Sequence, residues 1–194
     1  MYARLSIVLS VTFALLLGAQ ARTSAQEVGV FNSPKGVGAA ARYYDSADAF
    51  VSAHFYVDIY GVVTSRCSYP GYKLNLSRQY IFAHVPRNGY SMTFYAGPGI
   101  TAGFVRDHDK GRGWDLVSLT SDNQGWIVAI SGDAGCRFDF GGMVALDLSF
   151  MAEAGAHFRR TENEDTYAAV STSIYNNGIL QAIYPQLTIL FKFK

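Results

Sequence analysis

The sequence predicts an all-β protein: an antiparallel up-and-down transmembrane β-barrel of eight strands. Three observations point there. Apolar and polar residues alternate with a period of two over most of the chain. The clear strands come in pairs joined by tight turns, with longer polar segments between the pairs. The chain opens with an export signal, and no later apolar stretch is long enough to span a membrane as a helix.

The export signal comes first. Arg4 gives a short positive region, and Leu5 to Leu17 is an apolar run broken only by Ser6, Ser10 and Thr12. Ala19-Gln20-Ala21 fits an A-x-A cleavage site, and Ser24-Ala25 before Gln26 offers a second. The run is too short for a spanning helix, which needs about 20 residues. Residues 1–25 therefore read as a signal peptide and residues 26–194 as the barrel.

The strands follow in order. Glu27 to Asn32 is a short candidate for the lead strand. In 36–44, Val37, Ala39, Ala41 and Tyr43 oppose Gly38, Ala40, Arg42 and Tyr44. In 48–60, Val51, Ala53, Phe55, Val57 and Ile59 oppose Ser52, His54, Tyr56, Asp58 and Tyr60. Residues 73–85 lose their apolar parity near Arg78, the mark of a bulge. In 91–104, Met92, Phe94, Ala96, Ile100, Ala102 and Phe104 oppose Thr93, Tyr95, Thr101 and glycines. In 124–139, Trp126, Val128, Ile130, Ala134 and Phe138 oppose Ser131, Asp133, Arg137 and Asp139. In 143–159, a face from Val144 to Phe158 opposes Asp147, Ser149, Glu153, His157 and Arg159. The chain closes with 186–194, where Leu187, Ile189, Phe191 and Phe193 oppose Gln186, Thr188, Lys192 and Lys194. A helix would scatter these charges around its axis, whereas a strand sorts them to one side.

Asp45–Asp48, Pro86–Gly89 and Gly141-Gly142 read as tight turns, and Asn88-Gly89 is a strong hairpin signal. The longer segments are 63–72, 106–123 and 160–178. Short turns on the periplasmic side and long loops outside are the habit of membrane barrels. The rival is a soluble lipocalin-like barrel, whose apolar face points inward. Only 16% of residues are charged, and the chain holds 13 Tyr, 13 Phe and 19 Gly, a mix that favours strands over helices. Strand length and charge separate the two barrels: a membrane-crossing strand needs about 9–11 residues, and several of these have 13 or more. The polar faces are rich in Ser, Thr, Tyr and Gly, with charges of both signs and little Lys, which suits a lumen of paired charges better than a solvated exterior.

The body, over residues 27–194, resembles the small outer-membrane β-barrel family of bacteria, in the OmpA/OmpX-like group. The carrying features are the Gly-rich strand from Tyr95 to Phe104 and the last strand, Leu187-Thr-Ile-Leu-Phe-Lys-Phe193, with its near-terminal aromatic. Lys194 after that aromatic departs from the family's terminal signal. The resemblance implies residence in the bacterial outer membrane and contact with its lipid. It carries over no catalytic residue.

The candidate site is a lumenal polar network of Arg42, His54, Asp58, Asp133, Arg137, Asp139, Asp147, Glu153, His157 and Arg159. Arg42, Arg137 and Arg159 are expected to pair with acids among these, because a buried charge is tolerated only when paired. Neither a catalytic set, a cofactor nor a metal is expected. Asp107-His108-Asp109 lacks converging geometry for a cation, and no serine stands beside a histidine as a hydrolase would need. A net charge of +1 argues against a nucleic-acid partner. Trp114 and Trp126 suit an interfacial aromatic belt.

The expected function is a structural or surface-interaction role, with an extracellular ligand or protein meeting loops 63–72, 106–123 and 160–178. The alternatives are a narrow channel or carrier for small solutes, a soluble lipocalin-like binding barrel and a lipid-modifying rim enzyme. Cys67 lies in the first long loop and Cys136 near a tight turn, so the full membrane separates them and both thiols are expected to be free.

Overall fold

The computed structural model describes residues 26–33, 36–63, 69–107, 123–160, 168–173 and 185–193. Among the described residues, nine strand segments form one antiparallel sheet closed into a ring. They are β1 (Gln26–Ser33), β2 (Gly36–Tyr44), β3 (Ala49–Asp58), β4 (Gly71–Arg87), β5 (Tyr90–Asp107), β6 (Asn123–Asp139), β7 (Val144–Arg160), β8 (Ala168–Ser173) and β9 (Gln186–Phe193). One helical turn, α1 (Tyr60–Val63), follows β3.

Each strand pairs with the next in sequence from β1 to β7, and β9 closes the ring by pairing with both β1 and β7. The eighth strand is divided. β8 pairs with the far half of β7 (Gly155↔Ser173) and β9 with its near half (Ser149↔Gln186). The segment 160–178, expected to be all loop, thus carries a strand at its centre. The reason is that β7 runs 17 residues, and its upper half needs a partner that β9, with 8, does not reach.

The connection from Ser33 to Gly36, for which the sequence named no loop, lies at the same end of the barrel as the long ones. One further expectation changes. The first long loop is shorter than 63–72, because α1 ends at Val63 and β4 already begins at Gly71. The three tight turns lie together at the other end, two of them closed by glycines with left-handed φ: Gly89 at 87° and Gly141 at 78°.

The stagger of the ring follows from its pairings. Stepping round from Ala83 through Phe94, Cys136, Leu148, Leu187, Asn32, Val37 and Val57 returns to β4 at Tyr72. That is eleven residues from the start, one of them the bulged Phe82 between Ile81 and Ala83. Such a stagger tilts the strands by about 35–45° from the barrel axis. The four longest strands, of 17 or 18 residues, then exceed the span of the hydrocarbon.

The side-chain alternation settles which face is inside. The large exposed apolar residues include Leu74, Leu76, Ile100, Trp126, Val128, Ile130, Phe150, Ile189 and Phe191, all on the outer parity. The interior holds Glu27, Arg42, Lys73, Asn75, Gln79, Asp147, Glu153 and Thr188, all buried. A soluble barrel would show the inverse. Aromatic rows mark both ends of the apolar band. Tyr72, Phe104 and Trp126 are successive cross-strand partners on the loop side, with Phe104 and Trp126 edge to face at 5.4 Å. On the turn side, Phe82 lies 6.4 Å from Phe94, and Tyr90 lies 6.4 Å from Phe140. Cys136 is a free thiol on the outer parity between Phe94 and Leu148. Cys67 lies outside the described residues.

Candidate functional site: the lumenal network

The interior is built from residues that the alternation points inward, and most of its bonds cross the lumen. At its centre Arg42 (β2) donates from Nη1 to Asp147 Oδ2 (β7) at 2.9 Å and from Nη2 to the Tyr95 hydroxyl (β5) at 2.9 Å. Tyr95 in turn donates to Asp147 Oδ1 at 2.8 Å. The guanidinium lies 5.1 Å from the rings of both Phe50 and Tyr95. Gly135 makes room for the tyrosine: a Cβ there would stand 2.6 Å from Tyr95 Cζ.

Toward the loop end, Lys73 Nζ (β4) lies 3.0 Å from Glu153 Oε2 (β7), and the other Glu153 oxygen accepts from Thr101 Oγ1 at 2.8 Å. Asn75 donates to Thr101 and to Ser131, at 3.0 Å and 2.7 Å. Gln79 donates to Asp133 Oδ2 at 3.0 Å and to Ser77 at 2.9 Å. The Lys73 ammonium lies 4.9 Å from the Tyr56 ring, and the Tyr56 hydroxyl donates to Gln186 at 2.9 Å. A small apolar core of Phe31, Ala40, Tyr56 and Met151 fills the space beside them. Toward the turn end, Arg137 (β6) reaches Glu27 (β1) with two nitrogens and Asp139 with one, and Lys192 lies 2.7 Å from Asp139. Tyr44 donates to Glu27 at 3.1 Å.

Of the residues singled out in the sequence, Arg42 and Asp147 come together, as do Arg137 and Asp139. Asp133 takes its bond from Gln79, and Glu153 takes Lys73 as its cation. His54 is buried with its Nε2 3.3 Å from Ser52 Oγ and its ring edge to face with Phe31. Asp58 is buried at the loop end of β3. The side chains of His157 and Arg159 lie outside the described residues. Among the described residues no three His, Cys, Asp or Glu converge as metal ligands.

No family model matches the chain, and no curated protein does. Among solved structures it is similar to Ail, the attachment invasion locus protein of Yersinia pestis, at 12% identity. The likeness covers 88% of this chain and 97% of that one, with a TM-score of 0.38. It transfers no residue role. The barrel stands on its own ring of strand pairings.

Sequence reasoning missed Glu27, Lys73, Lys192, Tyr95 and Gln79 as members of the network. Parity alone carried a signal for Lys73. It alternates with Tyr72, Leu74 and Leu76 in the part of β4 ahead of the bulge, where the pattern is regular. Glu27 was hidden in the short lead strand.

Proposed function

We propose that residues 1–25 export the chain, that it resides in the outer membrane of a bacterium, and that it serves there as a structural or surface-interaction barrel. The observation that supports this reading is the filled interior. Arg42, Lys73, Asp147 and Glu153 are almost wholly buried and bonded to one another across the lumen in two ion pairs. A continuous water path would have to break both, and each is a charge pair in a low-dielectric site. Eight-stranded barrels of this size are filled by side chains. The chemistry available to a partner then lies in the loops, within 63–72, 106–123 and 160–178. Contact with membrane lipid follows from the apolar exterior.

Planar-bilayer recording on the refolded chain tests this. The expected result is no sustained conductance for the native protein. Adhesion of cells carrying it should fall when residues 108–122 are replaced by a Gly/Ser linker and folding is unchanged. A stable, ion-selective conductance in the native protein would contradict the reading and support the narrow channel.

A further inference from the structure

Among the described side chains, Arg78 is a charged one on the outer face, away from the strand ends, where the alternation calls for an apolar residue. Arg78 lies on the parity of Tyr72, Leu74, Leu76 and Tyr80, and its side chain is 42% exposed, unlike the buried Arg42 and Lys73. A cation at the bilayer midplane is costly, but at the boundary the cost nearly vanishes. Along β4 Arg78 lies four residues inside Phe82, and its long side chain reaches toward the turn-side boundary. It pairs with Val51, close to the start of β3, and its Nη1 lies 2.6 Å from Oδ2 of Asp45 in the first tight turn. The Tyr80 ring lies 6.0 Å from the guanidinium.

A groove begins on the neighbouring strand β5. The pairs Leu76↔Ile100 and Tyr80↔Ala96 flank the point where Arg78 faces Pro98, and Pro98 pairs onward with Gly132, and Gly132 with Ala152. Proline supplies no N–H to the β4 side, and no pairing is made there. Ala96, Pro98, Gly132, Ala134 and Ala152 form a floor of small residues, Phe150 forms a wall, and this shallow, open groove offers about 430 Å³. Because the strands tilt, this row climbs from the turn-side boundary at β3 to the middle of β6 and β7. A chain lying in it would run from the headgroup level into the hydrocarbon.

We propose that this is a site for one zwitterionic phospholipid of the periplasmic leaflet, with its phosphoethanolamine headgroup on Arg78 and Asp45 and one acyl chain in the groove. The site rests on the membrane reading given above. The pair itself selects the headgroup. A guanidinium has N–H groups to spare beyond the one turned to Asp45, and these suit a phosphate. The Asp45 carboxylate, 31% exposed, suits an ammonium and repels a second anion. A zwitterion meets both poles, whereas a purely anionic lipid meets only one. The groove is continuous with the lipid-facing band, so a hydrocarbon chain reaches it without leaving its own phase.

The test is native mass spectrometry of the full chain released from bilayers of equal phosphatidylethanolamine and phosphatidylglycerol. The native protein should retain one phosphatidylethanolamine. Arg78→Gln should lower that retention about tenfold, the worth of one charge-assisted hydrogen bond. Asp45→Asn should shift retention toward phosphatidylglycerol. Gly132→Leu places its side chain in open space, with nothing within 4 Å of the new Cβ, so it should fill the groove and lower retention without disturbing the fold. Equal retention of both lipids by the native protein, or retention unchanged in Arg78→Gln and Gly132→Leu, overturns the site. Preference for phosphatidylglycerol that ignores Asp45→Asn also overturns it, leaving Arg78 a simple cationic anchor. Failure of the native chain to insert at all would sink the membrane reading instead, so the two failures are distinct.

Discussion

Asp147→Leu is expected to destabilise the folded barrel by about 3–5 kcal/mol, the cost of leaving a buried charge without its partner. Asp147 is fully buried and accepts from both Arg42 Nη1 and the Tyr95 hydroxyl. Leucine removes both acceptors and leaves the guanidinium facing apolar carbon. The neighbouring Leu148→Ile, a volume-conserving change on the outer face, should cost less than about 1.5 kcal/mol. Adding Arg42→Met to Asp147→Leu should recover much of the loss, since replacing both members of a buried pair by apolar groups is often neutral. Urea unfolding of the chain in lipid vesicles measures all three. An Asp147→Leu protein as stable as the native one would mean that the Asp147 face does not point into a dry lumen.

Ile130→Lys is expected to cost about 2–4 kcal/mol in the same assay, the penalty for a cation at the bilayer midplane on the lipid face. Ile130 is 70% exposed near the centre of β6, between Ile100 and Ala154. On a soluble barrel a residue that exposed would accept lysine at almost no cost. The direction of this one change therefore separates the two kinds of barrel. It also depends on depth, so Trp126→Lys, nearer the loop end, should cost less than Ile130→Lys. Equal costs at both positions would argue against a membrane-spanning band.

The fold was legible because a strand sorts its residues by parity, and that parity reports directly which face each side chain occupies. Eight strands, three tight turns and the apolar exterior all follow from it. The short lead strand at 27–32 was readable only because the ring needed an eighth member. β8 was not readable: Ala168-Ala-Val-Ser-Thr-Ser173 has neither charge nor alternation to mark it as a strand. The bulge was sensed too early. It lies at Phe82, but the outward Arg78 interrupts the apolar face four residues before and mimics a slip.

The network was legible only by residue and not by bond. Parity sends Arg42 and Asp147 inward, but which acid meets which base depends on closure and stagger of the ring. Those bring together strands three places apart, such as β2 with β7 and β6 with β1. Asp133 and Glu153 meet Gln79 and Lys73 on β4, two and three strands away, where a list of arginines and acids gave no means to choose.

Gel mobility of the membrane fraction, run with and without boiling, tests the central claim most directly. A closed membrane barrel keeps its strand ring in detergent at room temperature and unfolds on heating. The chain should therefore be found in the outer-membrane fraction and migrate as a compact species that shifts to the unfolded position only after boiling. A chain that stays in the soluble fraction, or that runs at one position with or without heat, would contradict the transmembrane barrel.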